Sequence, residues 1–433
     1  MRLTPIALAV VLLLTVGCQT TPSVTSPSSP AVTTTVTPSA PPALSREAYY
    51  QKVLGLLIGS AIGDAMGAPT EMWSRRDIQL DYGFVDDLQS MVREVSAEGI
   101  WKSNLPAGGT TDDTRWKALT IDFLREQPRT AITPTAFAQH IVDRYQSRIA
   151  DLRATEGFDP KPYEQNLMKM AWLQEWALVA QPYTENNLPA YAQALSKFYG
   201  GEMTCAGMLY APMLGAVHPG DPLQGYTLAY RLGFFDLGYA RDMTGLVSAM
   251  TAAAFASDAT GESITRINRT IDPENYFESR LIGRSAYRFY RHARHLVADA
   301  RATKLDPTAP LPAIPPAYAH LPAAEYAILQ NAFDRLDAAN QDVAFHPGEI
   351  YLILLTAMLY SDFEFEPTMT FITNYGRDND TVAAIAGAIL GAYHGAENLP
   401  PEMTRQVLEV NETQLGIGLE TLATQMTAWV YGE

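Results

Sequence analysis

Cysteine is nearly absent from this chain. Cys18 and Cys205 are the only two in 433 residues, which excludes a disulfide framework and a cysteine-built zinc site. Basic side chains are also scarce: 31 Lys and Arg stand against 47 Asp and Glu, a net charge of −16. A surface of that sign repels phosphate backbones and anionic headgroups, so neither a nucleic-acid binder nor electrostatic docking on lipid is expected. No HExxH, GxSxG or Walker loop occurs, and no two of the seven histidines are spaced i,i+4. The usual zinc-protease, serine-hydrolase and P-loop signatures are therefore missing. Runs of alternating apolar and polar residues are missing too, as is any repeat of fixed period, so a sheet protein and a solenoid are not expected.

Apolar residues make up 47% of the chain and aromatics 10%, enough to build a large core and too much for a disordered protein. Arg2 followed by the apolar run Ile6–Val16 has the make-up of a signal peptide and is short for a membrane span. The run ends in Leu14-Thr15-Val16-Gly17-Cys18, which resembles a bacterial lipobox with its leucine one place early. Residues 1–18 are thus expected to be a lipoprotein signal with Cys18 as the acylated residue; an ordinary secretion signal is the alternative. Of the 26 residues in 19–44, eighteen are Ser, Thr or Pro and none is charged. Such a segment buries no core and is expected to be a tether between a membrane anchor and a folded body. The protein is accordingly expected outside the cytoplasm, facing the periplasm or the exterior. Cys205 then has no partner and reads as a small buried residue.

From residue 45 to 433 the spacing predicts one all-α domain. Leu54, Leu57, Ile58, Ala61, Ile62 and Ala65 recur at helical intervals behind Ser45, a suitable N-cap. Further helices are predicted near 114–126, 135–149, 164–180, 188–199, 239–257, 274–301, 323–339, 347–360, 379–395, 401–411 and 415–430. The six prolines between Asp306 and Pro322 predict a long connection within that domain. Gly55, Gly59 and Gly63 in the first helix, and Ala383, Ala384, Gly387 and Gly391 in a late one, are spaced to let two backbones approach closely. That spacing also occurs in membrane helices, but the apolar runs are about a dozen residues long, and central helices of a soluble bundle are expected. Arg280, Arg284, Arg288 and Arg291 fall on one helical face, a candidate for a diphosphate or an acidic partner and otherwise a solvated face.

The chemistry lies in acids. Gly109-Thr110-Thr111-Asp112-Asp113-Thr114 and Gly376-Arg377-Asp378-Asn379-Asp380-Thr381 each open a predicted helix with two carboxylates and a hydroxyl. Oxygen donors of this kind suit Mg2+ or Mn2+, and two such groups together can hold a binuclear centre. Helix capping accounts for one acid per helix, but less well for a doubled acid with threonine, twice. A third segment, Gly63-Asp64-Ala65-Met66-Gly67-Ala68-Pro69-Thr70-Glu71, ends the first helix and starts a loop that carries Glu71.

These three segments, in this order, resemble the ADP-ribosylglycohydrolase family, whose pattern is G-D-x-x-G-x-x-x-E, T-D-D-T and a late G-x-D-x-D-T followed by small residues. The resemblance covers residues 48–430 and implies a compact orthogonal helical bundle. It implies two divalent cations, Mg2+ or Mn2+, held by Thr111, Asp112, Asp113, Asp378, Asp380 and Thr381. It also implies hydrolysis at C1 of a small-molecule or protein-linked ADP-ribosyl or related ribosyl substrate, with catalytic roles for Glu71, Asp112 and Asp378. Glu71 would move the proton of the water or the leaving group.

The match has departures. Arg377 and Asn379 stand where the pattern commonly has Gly and Thr, and Arg377 is expected to add a cation and bulk beside the site. Arg115-Trp116 follows the T-D-D-T where an apolar residue is usual, and Gly201–Ala211 matches a substrate-lining region only loosely. Two other readings compete. A lipid-anchored, non-catalytic ADP-ribose-binding or structural protein of the same fold would have no need of the intact acid set. An α-helical terpenoid synthase would need a further acid where Trp116 and Lys117 stand.

Overall fold

The computed structural model describes residues 44–91, 104–154, 160–279, 281–308 and 310–433. The signal segment, Cys18, the Ser/Thr/Pro tether up to residue 43, and Arg280 lie outside the described residues. In chain order the helices of the first half are α1 (Arg46–Gly67), α2 (Arg75–Asp81), α3 (Asp112–Glu126), α4 (Pro134–Ala154), α5 (Pro160–Thr184), α6 (Leu188–Leu195), α7 (Ala206–Ala216) and α8 (Pro222–Leu232). The second half adds α9 (Ala240–Ala254), α10 (Gly261–Thr270), α11 (Ser285–Arg301), α12 (Ala323–Asp337), α13 (Pro347–Tyr360), α14 (Phe365–Tyr375), α15 (Asn379–His394), α16 (Pro401–Val410) and α17 (Leu419–Tyr431). Among the described residues there is no strand, only an isolated antiparallel bridge between Trp73 and Arg377. The all-α, single-domain expectation holds.

The axis of the fold is the antiparallel pair α1 and α15. A methyl group added at Gly59 would lie 2.3 Å from the carbonyl oxygen of Gly387, and one at Gly387 would lie 2.0 Å from that of Gly59. Neither space admits a side chain, so the two backbones touch. At the end of this seam, a methyl on Gly67 would lie 2.3 Å from Cα of Asp380. The small-residue stripe thus delivers the C-terminus of α1 to the N-terminus of α15, where two of the sequence motifs lie. Ser45 caps α1 as expected, accepting from Ala48 N at 3.2 Å. The apolar part of α1 is long enough to cross a membrane but is entirely buried by the other helices. It is a core helix.

Several helices escape the periodicity argument. α7 reads AGMLYAPMLGA and is buried on all sides, so it has no polar face to set a period. α14 contains Pro367 near its start, α8 contains Gly225, and α2 is only seven residues long.

The predicted helix 274–301 begins instead at Ser285. Asn275 adopts a left-handed φ of 57°, and Asp272 accepts from the backbone N–H groups of Tyr276 and Phe277, at 2.8 Å each. The chain turns there rather than coils. Arg284 is drawn into the core, with Nε 3.1 Å from Asp242 and Nη2 3.1 Å from Asp272. It leaves the predicted arginine face, on which Arg288 and Arg291 remain exposed. The proline-rich stretch connects α11 to α12 within the domain, anchored by buried Tyr318.

Candidate metal centre

Two helix starts and a loop converge on one cavity of about 450 Å3. The first is the start of α3, held by the C-terminus of α1. Asp64 is fully buried there and faces the start of α3. Its Oδ1 accepts from Thr111 N at 2.9 Å, and its Oδ2 accepts from Thr114 N at 3.0 Å and the Thr114 hydroxyl at 2.6 Å. The free N–H groups of a helix start are thus satisfied by a carboxylate from another helix. Thr111 is the local N-cap, its hydroxyl accepting from Asp113 N at 3.3 Å, and it does not line the cavity. Asp112 and Asp113 do.

The second contributor is the start of α15. Asp378, Asp380 and Thr381 all line the cavity and are all buried. The Thr381 hydroxyl donates to Asp113 Oδ2 at 3.2 Å, so the two acidic motifs are in direct contact. The third is the loop after α1, which brings half-buried Glu71 to the same place. One oxygen from each of Glu71, Asp378 and Asp380 lies within 4.8 Å of the others.

Crowding and burial govern the charges. Burial, reinforced by the nearby Glu71, raises Asp378 to about 7. Burial also raises Asp113 to about 6, against the pull of Lys117. Asp380 is pushed well above the ordinary carboxylate range, first by burial and then by Glu71, Asp378 and Asp113. Oδ1 of Asp113 and Oδ1 of Asp380 are buried and accept no hydrogen bond. Lys117, itself buried, lies with Nζ 3.5 Å from Asp113; one ammonium does not balance five carboxylates. Buried carboxylate oxygens gathered on a shared cavity without hydrogen bonds are the donor set that hard divalent cations require, so the residues present fit such ions.

Four aromatic residues also line the cavity: Trp172, Trp176, Tyr199 and Phe345. Trp116, from the Arg115-Trp116 departure, packs against two of them, with its ring centroid 4.2 Å from Trp176 and 5.3 Å from Trp172. Thr204, Cys205, Ala206 and Leu209 also line the cavity, so the loosely matching 201–211 segment is part of the site. Cys205 is a free, buried thiol whose pKa burial pushes up.

Arg377 does not stand in the cavity. Its guanidinium turns away to Glu349, with Nε to Oε1 at 2.6 Å and Nη2 to Oε2 at 3.0 Å. The expected cation and bulk beside the site are therefore absent. A buried carboxylate on α13 captures the side chain instead. The sequence reading also missed Asp64 as a cap and Lys117 as a neighbour of Asp113. The i,i+4 spacing of Asp113 and Lys117 was the available signal for the second.

The sequence profile of the ADP-ribosylglycohydrolase family matches residues 45–429. The uncharacterized protein YegU of Escherichia coli (strain K12) is 25% identical over 366 residues, covering 84% of this chain and 93% of that protein. A solved structure titled "ADP-ribosylglycohydrolase-related protein complex" superposes with a TM-score of 0.52 at 17% identity, over 89% of this chain and 99% of that one. This last likeness is one of fold.

Proposed function

Because the chain belongs to the ADP-ribosylglycohydrolase family, we propose that this glycosidase-type hydrolase is metal-dependent and cleaves the bond at C1 of an ADP-ribosyl or related ribosyl substrate. The observation that carries the reading is the meeting of Asp112, Asp113, Asp378, Asp380, Thr381 and Glu71 on one cavity. Asp112, Asp113, Asp378 and Asp380 would hold two divalent cations, Mg2+ or Mn2+, with Thr381 completing the set and Thr111 serving as a cap. Bound there, the cations would orient ribose oxygens and acidify water.

The chain's own groups do the rest. The aromatic residues in the lining supply apolar surface suited to packing a nucleotide-sized ligand. Asp113 is held by Thr381 and Lys117, so its carboxylate presents one orientation. Glu71 is the half-buried member of its carboxylate trio and has access to solvent. It is suited to take the proton of the attacking water or to hand one to the departing acceptor as the glycosidic bond breaks. We further propose that the mature protein is tethered to a membrane through Cys18, which would put its substrates outside the cytoplasm.

The test is a panel of ADP-ribosyl-arginine, ADP-ribosyl-serine, O-acetyl-ADP-ribose and free nucleosides, assayed with Mg2+, with Mn2+ and with a chelator. Cation-dependent hydrolysis of the bond at ribose C1, freeing the acceptor from the ribosyl group, is the expected result for at least one of them. Turnover that survives complete chelation would end the metal-dependent reading.

A further inference from the structure

Two of the positions at which this chain departs from the common family motif, Arg377 and Asn379, both grip the loop that carries Glu71. On the near side of Glu71, Asn379 Nδ2 donates to Thr70 Oγ1 at 2.9 Å, and it also donates to Thr373 O at 3.2 Å. On the far side, Met72 N donates to Arg377 O at 2.7 Å, and Arg377 N donates to Trp73 O at 2.9 Å. Glu71 is thus bracketed by bonds to the stretch that supplies Asp378 and Asp380.

The bracket needs unusual backbone. Met72 and Arg377 have φ of 66° and 67°, a left-handed conformation that residues with a side chain adopt at a cost. Next to them Gly376, at φ 89°, has no room for a side chain, because a methyl there would lie 2.5 Å from Trp73 O. A glycine at 377 would adopt φ 67° freely. An arginine there calls for a compensating interaction, and one is present: the two-pronged pair with Glu349, only 2% exposed, plus a bond from Nη2 to Gln341 O at 3.0 Å. Glu349 is oriented in turn by Gln341 N at 2.6 Å. A paired fork of this kind fixes direction as well as distance. Beyond the loop, Arg75 at the start of α2 is anchored to Asp334 on α12 at 3.0 Å and lies 5.3 Å over the Phe333 ring.

We propose that Arg377 is a positioning residue: its pair with Glu349 fixes the Asp378–Asp380 connector on α13, and its backbone bonds to Met72 and Trp73 hold the Glu71 loop against that fixed connector, so that the carboxylates are gathered before a cation or substrate arrives. The proposal rests on the metal-centre reading above, and its test separates the two.

Three variants serve: Arg377→Gly, Glu349→Gln and the double variant, which leaves no unpaired buried carboxylate. Amide hydrogen exchange over residues 70–74 is followed in each, with α9 as the internal reference. Mn2+ affinity is measured by electron paramagnetic resonance without substrate. Exchange over 70–74 is expected to quicken about tenfold or more while α9 is unchanged. Mn2+ affinity is expected to fall by about 10- to 100-fold, the range for outer-shell partners of metal ligands. Wild-type exchange and affinity in Arg377→Gly would overturn the clamp, as would acceleration spread equally through α9. A wild-type protein that takes up no Mn2+ would remove the metal reading, and the exchange measurement alone would then decide whether Arg377 holds the loop.

Discussion

The hydroxyl of Thr381 donates to Oδ2 of Asp113 across 3.2 Å, joining two helix starts that lie 268 residues apart in the chain. This contact makes one site of two acidic motifs, and its consequence is electrostatic. Buried carboxylates that share a cavity raise one another's proton affinity.

Stability of the metal-free protein should therefore fall as pH rises. Asp113 at about 6 and Asp378 at about 7 lie above the unfolded carboxylate value. Between about pH 4 and 7 the folded state then holds more protons than the unfolded one, so raising the pH favours unfolding. Melting temperatures of chelator-treated protein should be lower at pH 7.5 than at pH 5. Saturating Mn2+ should abolish or reverse that trend, because the cation replaces the protons. A metal-free profile that rises through this window would contradict the crowded-carboxylate picture.

Asp64→Asn tests the cap on α3. The amide keeps one acceptor oxygen and turns an NH2 group toward donors on Thr111 or Thr114. A buried donor left without an acceptor costs about 1–3 kcal/mol, partly offset here because Asp64 is itself a buried charge. A net loss of about 2 kcal/mol in urea unfolding is expected, with weaker metal binding as Asp112 and Asp113 lose their fixed start. No change in either would mean that α3 is positioned by packing alone.

Gly59→Ala should be among the most damaging single-methyl changes in the chain. The new Cβ would meet the Gly387 carbonyl, a backbone atom on a central helix that cannot rotate away. Forcing α1 and α15 apart should cost about 3 kcal/mol or more and disturb the metal centre at their ends. Soluble protein with a wild-type unfolding midpoint would show that the seam is looser than its geometry implies.

How much of this was legible beforehand follows from the physics of each signal. The acid motifs could be read because metal chemistry constrains residue type at short spacing, and the glycine stripe because close approach constrains size. α7 was illegible because a helix buried on every side carries no period. The break before α11 was illegible because it depends on Asp272 and Arg284 reaching partners that the linear pattern does not show. Arg377 was misjudged for a related reason. Its neighbours in sequence are the site, but its side-chain partner, Glu349, is brought in by α13.

The proposed anchor predicts a covalent product. Radiolabelled fatty acid should enter the wild-type chain in its native host and not a Cys18→Ala variant. Equal labelling of the two would end the lipoprotein proposal and leave the cavity chemistry untouched.

Asp378→Asn should separate the metal from the fold. Without cations, removing one charge from a crowded set relieves repulsion, so the metal-free variant should melt at or slightly above the wild-type temperature. With cations the order should invert. A ligand that binds only the folded state adds about 2.7 kcal/mol at a hundred times its dissociation constant, and a site short of one carboxylate gives up much of that gain. The comparison needs four melting curves, with and without Mn2+, beside hydrolysis of whichever ADP-ribosyl substrate the panel identifies. Loss of both turnover and the metal-induced rise is the expected outcome. A variant that keeps both would reduce Asp378 to the residue that precedes α15. One that loses the rise but keeps turnover would make the metal structural, and the proton chemistry would then have to be carried by Glu71 with the cavity's own donors.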